Sequence, residues 1–188
     1  DALTFHYIHG ADDSSRIDPS ASNLIDTYIL TKSYDTDFRL FLNGAGTLPL
    51  PPSSDALALS YNTPLSKIKS LSDEIIYHPV KYKVLFGTKA DADLQATFKV
   101  VKNPDIVLND NDIKSRIVSA INQYFALENW DFGDKFFFSE MANYVMSQMT
   151  PDLVTFIIVP TQSSQVFGSL YEIKSENDEI FISGATVD

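Results

Sequence analysis

The three histidines are the side chains best suited to acid–base chemistry or to binding a transition metal near neutral pH. His6 and His9 lie three positions apart in Leu3–Ile8 and its flank, where β-branched and aromatic residues predict a strand. An odd offset along a strand points two side chains to opposite faces, so these two cannot share a metal ion. His78 precedes Pro79 without a cluster of other ligand-type residues. We interpret all three as structural or surface residues and predict no metal site.

The acidic run Asn109-Asp110-Asn111-Asp112 contains the oxygen ligands that a calcium-binding loop uses. An EF-hand loop beginning at Asp110 would need an oxygen ligand at its fifth position and glycine at its sixth. The chain has Lys114 and Ser115 there. A helix N-terminus explains the run better, because Asn and Asp cap helices and acidic side chains interact favourably with the helix dipole.

No other motif indicates a catalytic or cofactor-binding site. The glycines Gly44 and Gly46 lead into the proline-rich stretch Leu48–Pro52 rather than a helix, so they lack the helix N-terminal amides that bind phosphate. The nucleophile-elbow, P-loop and zincin patterns do not occur. The 25 acidic residues leave room for a catalytic carboxylate pair, which keeps a carbohydrate- or peptide-active hydrolase open as an alternative.

Composition limits the class of partner. The chain has 188 residues, of which 44% are hydrophobic and 21% charged, as in globular proteins. Its 14 basic and 25 acidic residues give a formal net charge of −11, which disfavours nucleic acid and anionic membranes as partners. There is no cysteine, so disulfides, thiolate metal sites and cysteine nucleophiles are excluded. No apolar run approaches the roughly 20 residues of a membrane span. Other proteins, or cations, are the expected partners.

Hydrophobic periodicity predicts an α+β fold made of two small modules. Residues 1–90 form the first module, in the order β-β-α-α-β, and residues 91–188 form the second, in the order β-α-α-β-β-β. Each has mixed or antiparallel sheets and a helix pair, and a long hairpin over Val80–Val101 joins them near Ala90. The other predicted elements are strands at Leu3–Ile8, Asn23–Thr31, Leu153–Val159, Gln165–Ile173 and Glu179–Ser183, and helices within Ser33–Leu42, Ala56–Ser72, Asp105–Phe125 and from Ser139 to Pro151.

The connector Ala126–Glu140, ALENWDFGDKFFFSE, holds the only tryptophan and three consecutive phenylalanines. On an extended segment Phe136 and Phe138 point to the same side, where they can fill the core beneath the helix pair. Trp130 and Phe132 are harder to bury in the same way. Core filling and a contact with a partner both remain open for them, and we mark these two as the candidate interface residues.

Four segments resemble a known family. They are RIDPSASNLIDTYILT (16–31), SDEIIYHPVKYKVLFG (72–87), the connector, and DEIFISGATVD (178–188). They are similar to the C-terminal portion of a baseplate wedge subunit of contractile-tailed bacteriophages, in the baseplate J-like family. The resemblance covers nearly the whole chain, through diffuse patterns rather than signature motifs. We expect the chain to be a fragment of a longer subunit.

The resemblance implies a structural role in the virion tail baseplate. Such subunits form homodimers that link neighbouring wedges into a ring around the tail hub, and they contact other wedge proteins. They have no enzymatic activity, bind no cofactor or small-molecule substrate, and offer no catalytic residues to carry over. Besides the hydrolase, a monomeric ligand-binding module remains an alternative, which predicts a closed apolar cavity.

Overall fold

The computed structural model of the protein describes residues 24–69, 73–107, 109–161 and 172–187. These residues form an α+β structure of four α-helices and eight strands, which confirms the predicted class. The helices are α1 (Lys32–Leu42), α2 (Ser54–Leu65), α3 (Asp110–Tyr124) and α4 (Phe138–Met149). The strands are β1 (Leu24–Ile29), β2 (Glu74–Pro79), β3 (Lys81–Leu85), β4 (Ala96–Lys102), β5 (Lys135–Phe137), β6 (Leu153–Pro160), β7 (Glu172–Lys174) and β8 (Glu179–Ser183). The predicted strand Leu3–Ile8, with His6 and His9, lies outside the described residues.

The strands pair two by two. β1 with β2 and β3 with β8 are parallel, whereas β4 with β6 and β5 with β7 are antiparallel. β2 and β3 form one extended run that changes partner at Val80. The Val80 N–H donates to the Ile29 carbonyl at 3.0 Å, and the Lys81 N–H donates to the Asp178 carbonyl at 2.9 Å. Successive N–H groups of a strand point to opposite edges, so β1 and β8 lie on opposite sides of this run.

The predicted hairpin over Val80–Val101 is wrong. Its two arms, β3 and β4, are not paired with each other but with β8 and β6. The backbone turns away at Phe86 and Gly87, both with φ of 68°, and a 3-10 turn at 92–94 follows. One hydrogen bond, from the Phe86 N–H to the Leu94 carbonyl, joins the ends of the arms. The alternation of apolar and polar residues identified both strands correctly. Their backbone hydrogen bonds, however, go to strands far along the chain, β8 and β6, and not to each other.

The described residues contain three core clusters. The largest lies between the helix pair α3–α4 and the β4–β6 pair, and includes Leu85 and Phe86. In a second cluster α1 packs its aromatic residues on β3 and β8. In the third, α2 packs on β2. Thus the predicted helix pair is present in the second half, whereas α1 and α2 belong to different clusters. The division near Ala90 stays a prediction, and residues from both sides of it share the first two clusters.

The start of α3 agrees with its sequence signal. The Asn109 side chain accepts a hydrogen bond from the Asn111 N–H at 2.9 Å, as an N-cap does. Asp110 and Asp112 occupy the first turn, where the helix dipole favours negative charge. Lys102 forms an ion pair with Asp110 and lowers the pKa of this exposed carboxyl. The acidic run is therefore explained as a helix N-terminus.

Glu179 links the β3–β8 pair electrostatically, and its loss should weaken the fold in a pH-dependent way. Burial raises its pKa, but the Glu176 N–H and the Lys83 ammonium, each bonded to Oε2, outweigh burial and lower the pKa below its ordinary 4.5. A carboxyl with a lowered pKa stabilises the fold above pH 4.5, and this contribution disappears as the pH falls through its folded-state pKa. Glu179→Gln should therefore cost about 1 kcal/mol at pH 7 and less near pH 3.

Urea denaturation of both proteins at pH 7 and pH 3 measures this difference. Asp112→Asn serves as a comparison with a smaller expected pH dependence, since Asp112 is more exposed, reaches Arg116 only at 3.8 Å and has only the α3 dipole as a further favourable interaction. A stability difference between Glu179→Gln and the parent that stays constant across this pH range would contradict the assignment.

Candidate interaction surface

Trp130, a predicted interface residue, is half-buried within the chain's own packing. Its indole stacks on Phe125 with ring centroids 5.3 Å apart and meets Phe181 edge-on at 5.1 Å. Its Nε1–H donates to the Tyr124 carbonyl at 2.9 Å. Trp130 therefore contacts the largest cluster and also the α1 cluster. Phe132, also half-buried, packs against the α1 cluster alone. An interface role for either residue stays a prediction.

Phe136 fills the core as expected, whereas Phe138 is half-buried and begins α4 instead of continuing the extended segment. Phe136 is fully buried, and its ring lies 5.6–6.3 Å from those of Phe86, Phe125 and Phe181. Phe138 stacks on Phe156 of β6 with ring centroids 6.0 Å apart. The turn into β5 is made at Gly133, with φ of 80°. The connector thus closes the core of the second half.

The β4–β6 ribbon presents an apolar surface on which no helix or strand of the described residues packs. Its inner face packs into the core, where Phe98 stacks on Phe156 at 5.1 Å. Its outer face alternates with the inner one and contains three cross-strand pairs: Thr97 with Val159, Lys99 with Ile157, and Val101 with Thr155. We call these six residues the outer face.

The apolar side chains of this face are largely exposed to solvent. Val101 is 54% exposed and Ile157 is 48% exposed, and the neighbouring Val154 is 56% exposed. Lys99 carries the only charge of the outer face. Isolated exposed apolar residues are ordinary, but apolar residues that adjoin across two strands form a patch suited to protein contact.

Sequence reasoning missed this surface. The run LVTFIIV (153–159) is apolar on both alternating faces, which is typical of a strand buried on both sides. The available signal was in β4, where Thr97 and Lys99 on alternate positions mark one solvent-facing side. Once β4 is paired with β6, that polar pattern identifies the side to which Ile157 points.

Two clusters of hydrogen-bonded polar side chains could also not be predicted from the sequence. The His78 Nε2 lies 2.9 Å from the Asp26 Oδ1, and the His78 ring stacks on Tyr28 at 4.8 Å across the β1–β2 pair. On α1, Asp35 accepts hydrogen bonds from the Tyr82 hydroxyl and from Arg39. Burial, and then the contact with Asp35, raises the pKa of Tyr82. Both clusters tie elements of the fold together.

The remaining chemistry of the described residues is limited. In these ranges no three His, Asp or Glu side chains converge as a metal site would require. None of the helices there combines the length and apolar character that a bilayer crossing needs. No protein-family model matches the chain, and no curated protein matches it significantly.

Proposed function

We propose that the chain is a structural, non-enzymatic subunit that works by joining copies of itself. The observation that carries this proposal is the exposed outer face of the β4–β6 ribbon. In the setting that the resemblance suggests, such contacts would link neighbouring wedges of a phage tail baseplate into a ring, and other faces would meet further wedge proteins. A ring held by several discrete interfaces can rearrange during contraction, because packed interfaces switch between alternative arrangements.

The distribution of charge allows a second copy to occupy this face. The chain has a formal net charge of −11, so two copies repel wherever acidic surfaces meet. The outer face contains no acidic residue and a single lysine, Lys99. Two copies that meet at this face avoid acid–acid contacts, and the apolar area that they bury around Ile157 gains about 25 cal/mol per Å².

Ile157→Lys should therefore weaken self-association. We expect the unchanged protein to form a dimer in light scattering, and the variant to dissociate at a concentration at least about tenfold higher. A lysine in the apolar contact costs at least ~1.4 kcal/mol, which is a tenfold change in Kd. Leu50→Lys is the matched control, because Leu50 is 85% exposed in the loop between α1 and α2 and adds the same charge outside the outer face.

Two results would contradict parts of this proposal. A monomer at all accessible concentrations would overturn self-association and favour the ligand-binding alternative. A dimer that Ile157→Lys and Leu50→Lys weaken equally would exclude the outer face as the contact. The baseplate setting has its own test, in which antibodies against this chain should label the end of the tail distal to the head in electron micrographs of virions.

A further inference from the structure

We infer that two copies join edge to edge along β6, antiparallel across a two-fold axis at Ile157, to form a four-stranded sheet in the order β4-β6-β6-β4. This inference rests on the proposed self-association and places the contact along the β6 border of the outer face, so that the outer faces of the two copies lie side by side in one sheet rather than covering each other. It follows from the direction of the backbone groups of β6, the length of its unpaired edge, and the distribution of charge between β6 and β4.

The backbone of β6 has one edge without a strand partner in the described residues. The Thr161 N–H donates to the Gln95 carbonyl at 2.9 Å, so the odd-numbered groups at this end of β6 point toward β4. Successive residues of a strand alternate, and the N–H and C=O groups of Phe156 and Ile158 therefore point to the opposite edge. β6 pairs only with β4 among the described strands. An edge of this kind is a template for adding a strand.

The usable part of this edge is short and has a defined centre. At one end a bulge interrupts the ladder, since Lys102 pairs with Leu153 while Val101 pairs with Thr155 and Val154 is left unpaired. At the other end Pro160 lacks the N–H that would point along the same edge. The regular stretch between them is 155–159, and its midpoint is Ile157.

A two-fold axis at this midpoint gives partners to the backbone groups of Phe156 and Ile158 on the edge that lacks a strand partner among the described strands. Phe156 of one copy then lies opposite Ile158 of the other, and both present their backbone groups to the shared edge. Residues so placed in an antiparallel pair exchange two hydrogen bonds. The two Ile157 side chains face each other at a position without backbone hydrogen bonds, where Cα atoms are about 4.5 Å apart. Such isologous contacts are the commonest in homodimers.

The β6 edge and the β4 edge differ in the charges that they carry. β6 carries no charged side chain from Leu153 to Pro160. β4 carries Lys99 and Lys102, and pairing two copies of β4 across a two-fold axis would bring lysines of both copies together. Like charges on paired strands destabilise the pair, and lysine on an edge strand discourages pairing. Joining through β6 leaves both lysine-bearing strands at the outside of the sheet.

Single-cysteine variants of the full chain test this geometry, because the natural sequence contains no cysteine. In Ile157→Cys the two introduced thiols would face each other within the Cα range of a disulfide, about 4.4–6.8 Å. Under mild oxidation most of this variant should become a covalent dimer on a non-reducing gel and revert on reduction. Ile157 is about half exposed, so the substitution leaves the core intact.

Two control variants make the result specific. In Val101→Cys, on the same face of β4, three strand spacings (~14 Å) and an offset of four residues along the strands (~13 Å) would separate the thiols by roughly 19 Å. In Thr155→Cys, on β6 itself, each thiol lies opposite Val159 of the other copy, with its counterpart ~13 Å along the strand. Both should remain non-covalent.

The outcomes distinguish this inference from the function on which it rests. Cross-linking at 157 alone supports the two-fold seam. Preferential cross-linking of Val101→Cys, or a light-scattering dimer that never cross-links at 157, overturns the seam but leaves self-association standing. A chain that stays monomeric in light scattering overturns both.

Discussion

Gly87→Ala should lower the free energy of unfolding by about 4 kcal/mol or more, which is at the upper end for a single substitution. Gly87 has φ of 68°, a conformation that L-residues with side chains rarely adopt. A Cβ at this position would lie 1.8 Å from the carbonyl oxygen of Gly184 and 2.7 Å from its carbonyl carbon. Both are backbone atoms, so no side-chain rotation relieves the overlap.

The backbone at this crossing has little room to move. The Gly184 N–H donates to the Leu85 carbonyl at 2.8 Å, directly after the last pair of the β3–β8 ladder. A Cβ on Gly184 would in turn lie 2.7 Å from the Phe86 carbonyl oxygen. Leu85 and Phe86 are fully buried. Moving the segment at 85–87 away from Gly184 would therefore also pull these side chains out of the core.

Gly46→Ala is the matched control for this prediction. Gly46 also has positive φ, 86°, but a Cβ there would meet no atom within 4 Å. Only the backbone strain remains, and the expected cost is about 1–2 kcal/mol. Urea denaturation followed by the fluorescence of Trp130, the only tryptophan, measures both variants. Equal losses in the two variants would show that the contact with Gly184 is not what makes Gly87 necessary.

This crossing also explains why the strands were predictable and their pairing was not. Alternation in 80–86 and 94–101 located β3 and β4 to within two residues. Pairing depends on a backbone conformation at Phe86 that is rare for a phenylalanine, and on Gly184, nearly a hundred positions away. No local pattern reports a close approach between two glycines. The hairpin was therefore the simplest local solution, and tertiary packing overrode it.

The exposed outer face, too, could not be predicted without knowing which strands pair. Ile157 could not be assigned to solvent from LVTFIIV alone, because both faces of that run are apolar. Its exposure follows from the register with Lys99. Conversely, Trp130 looked too large to bury in a connector, yet Phe125 and Phe181 provide it with a partly buried place. Aromatic content therefore predicted where a core is closed, and the interface role of Trp130 and Phe132 stays a prediction.

Phe136→Ala should cost about 4 kcal/mol, because it removes the ring around which the largest aromatic group is built. Phe136 is fully buried and contacts Phe86, Phe125 and Phe181, which come from three different parts of the chain. The cavity cannot collapse easily, since Phe86 is held by its own unusual backbone conformation. Rigid surroundings raise the cost of a large-to-small substitution.

Phe137→Ala tests whether the loss comes from this position or from any phenylalanine in the run. Phe137 neighbours Phe136 on β5 but points to the opposite face and is only half-buried, so we expect about 1 kcal/mol. Far-UV circular dichroism should follow denaturation here, because the Trp130 ring lies 6.4 Å from Phe136 and its fluorescence would respond to the cavity itself. If Phe137→Ala proved as destabilising as Phe136→Ala, the connector would be needed for its overall aromatic surface rather than for one core position, and a contact between its outer side and a partner would gain support.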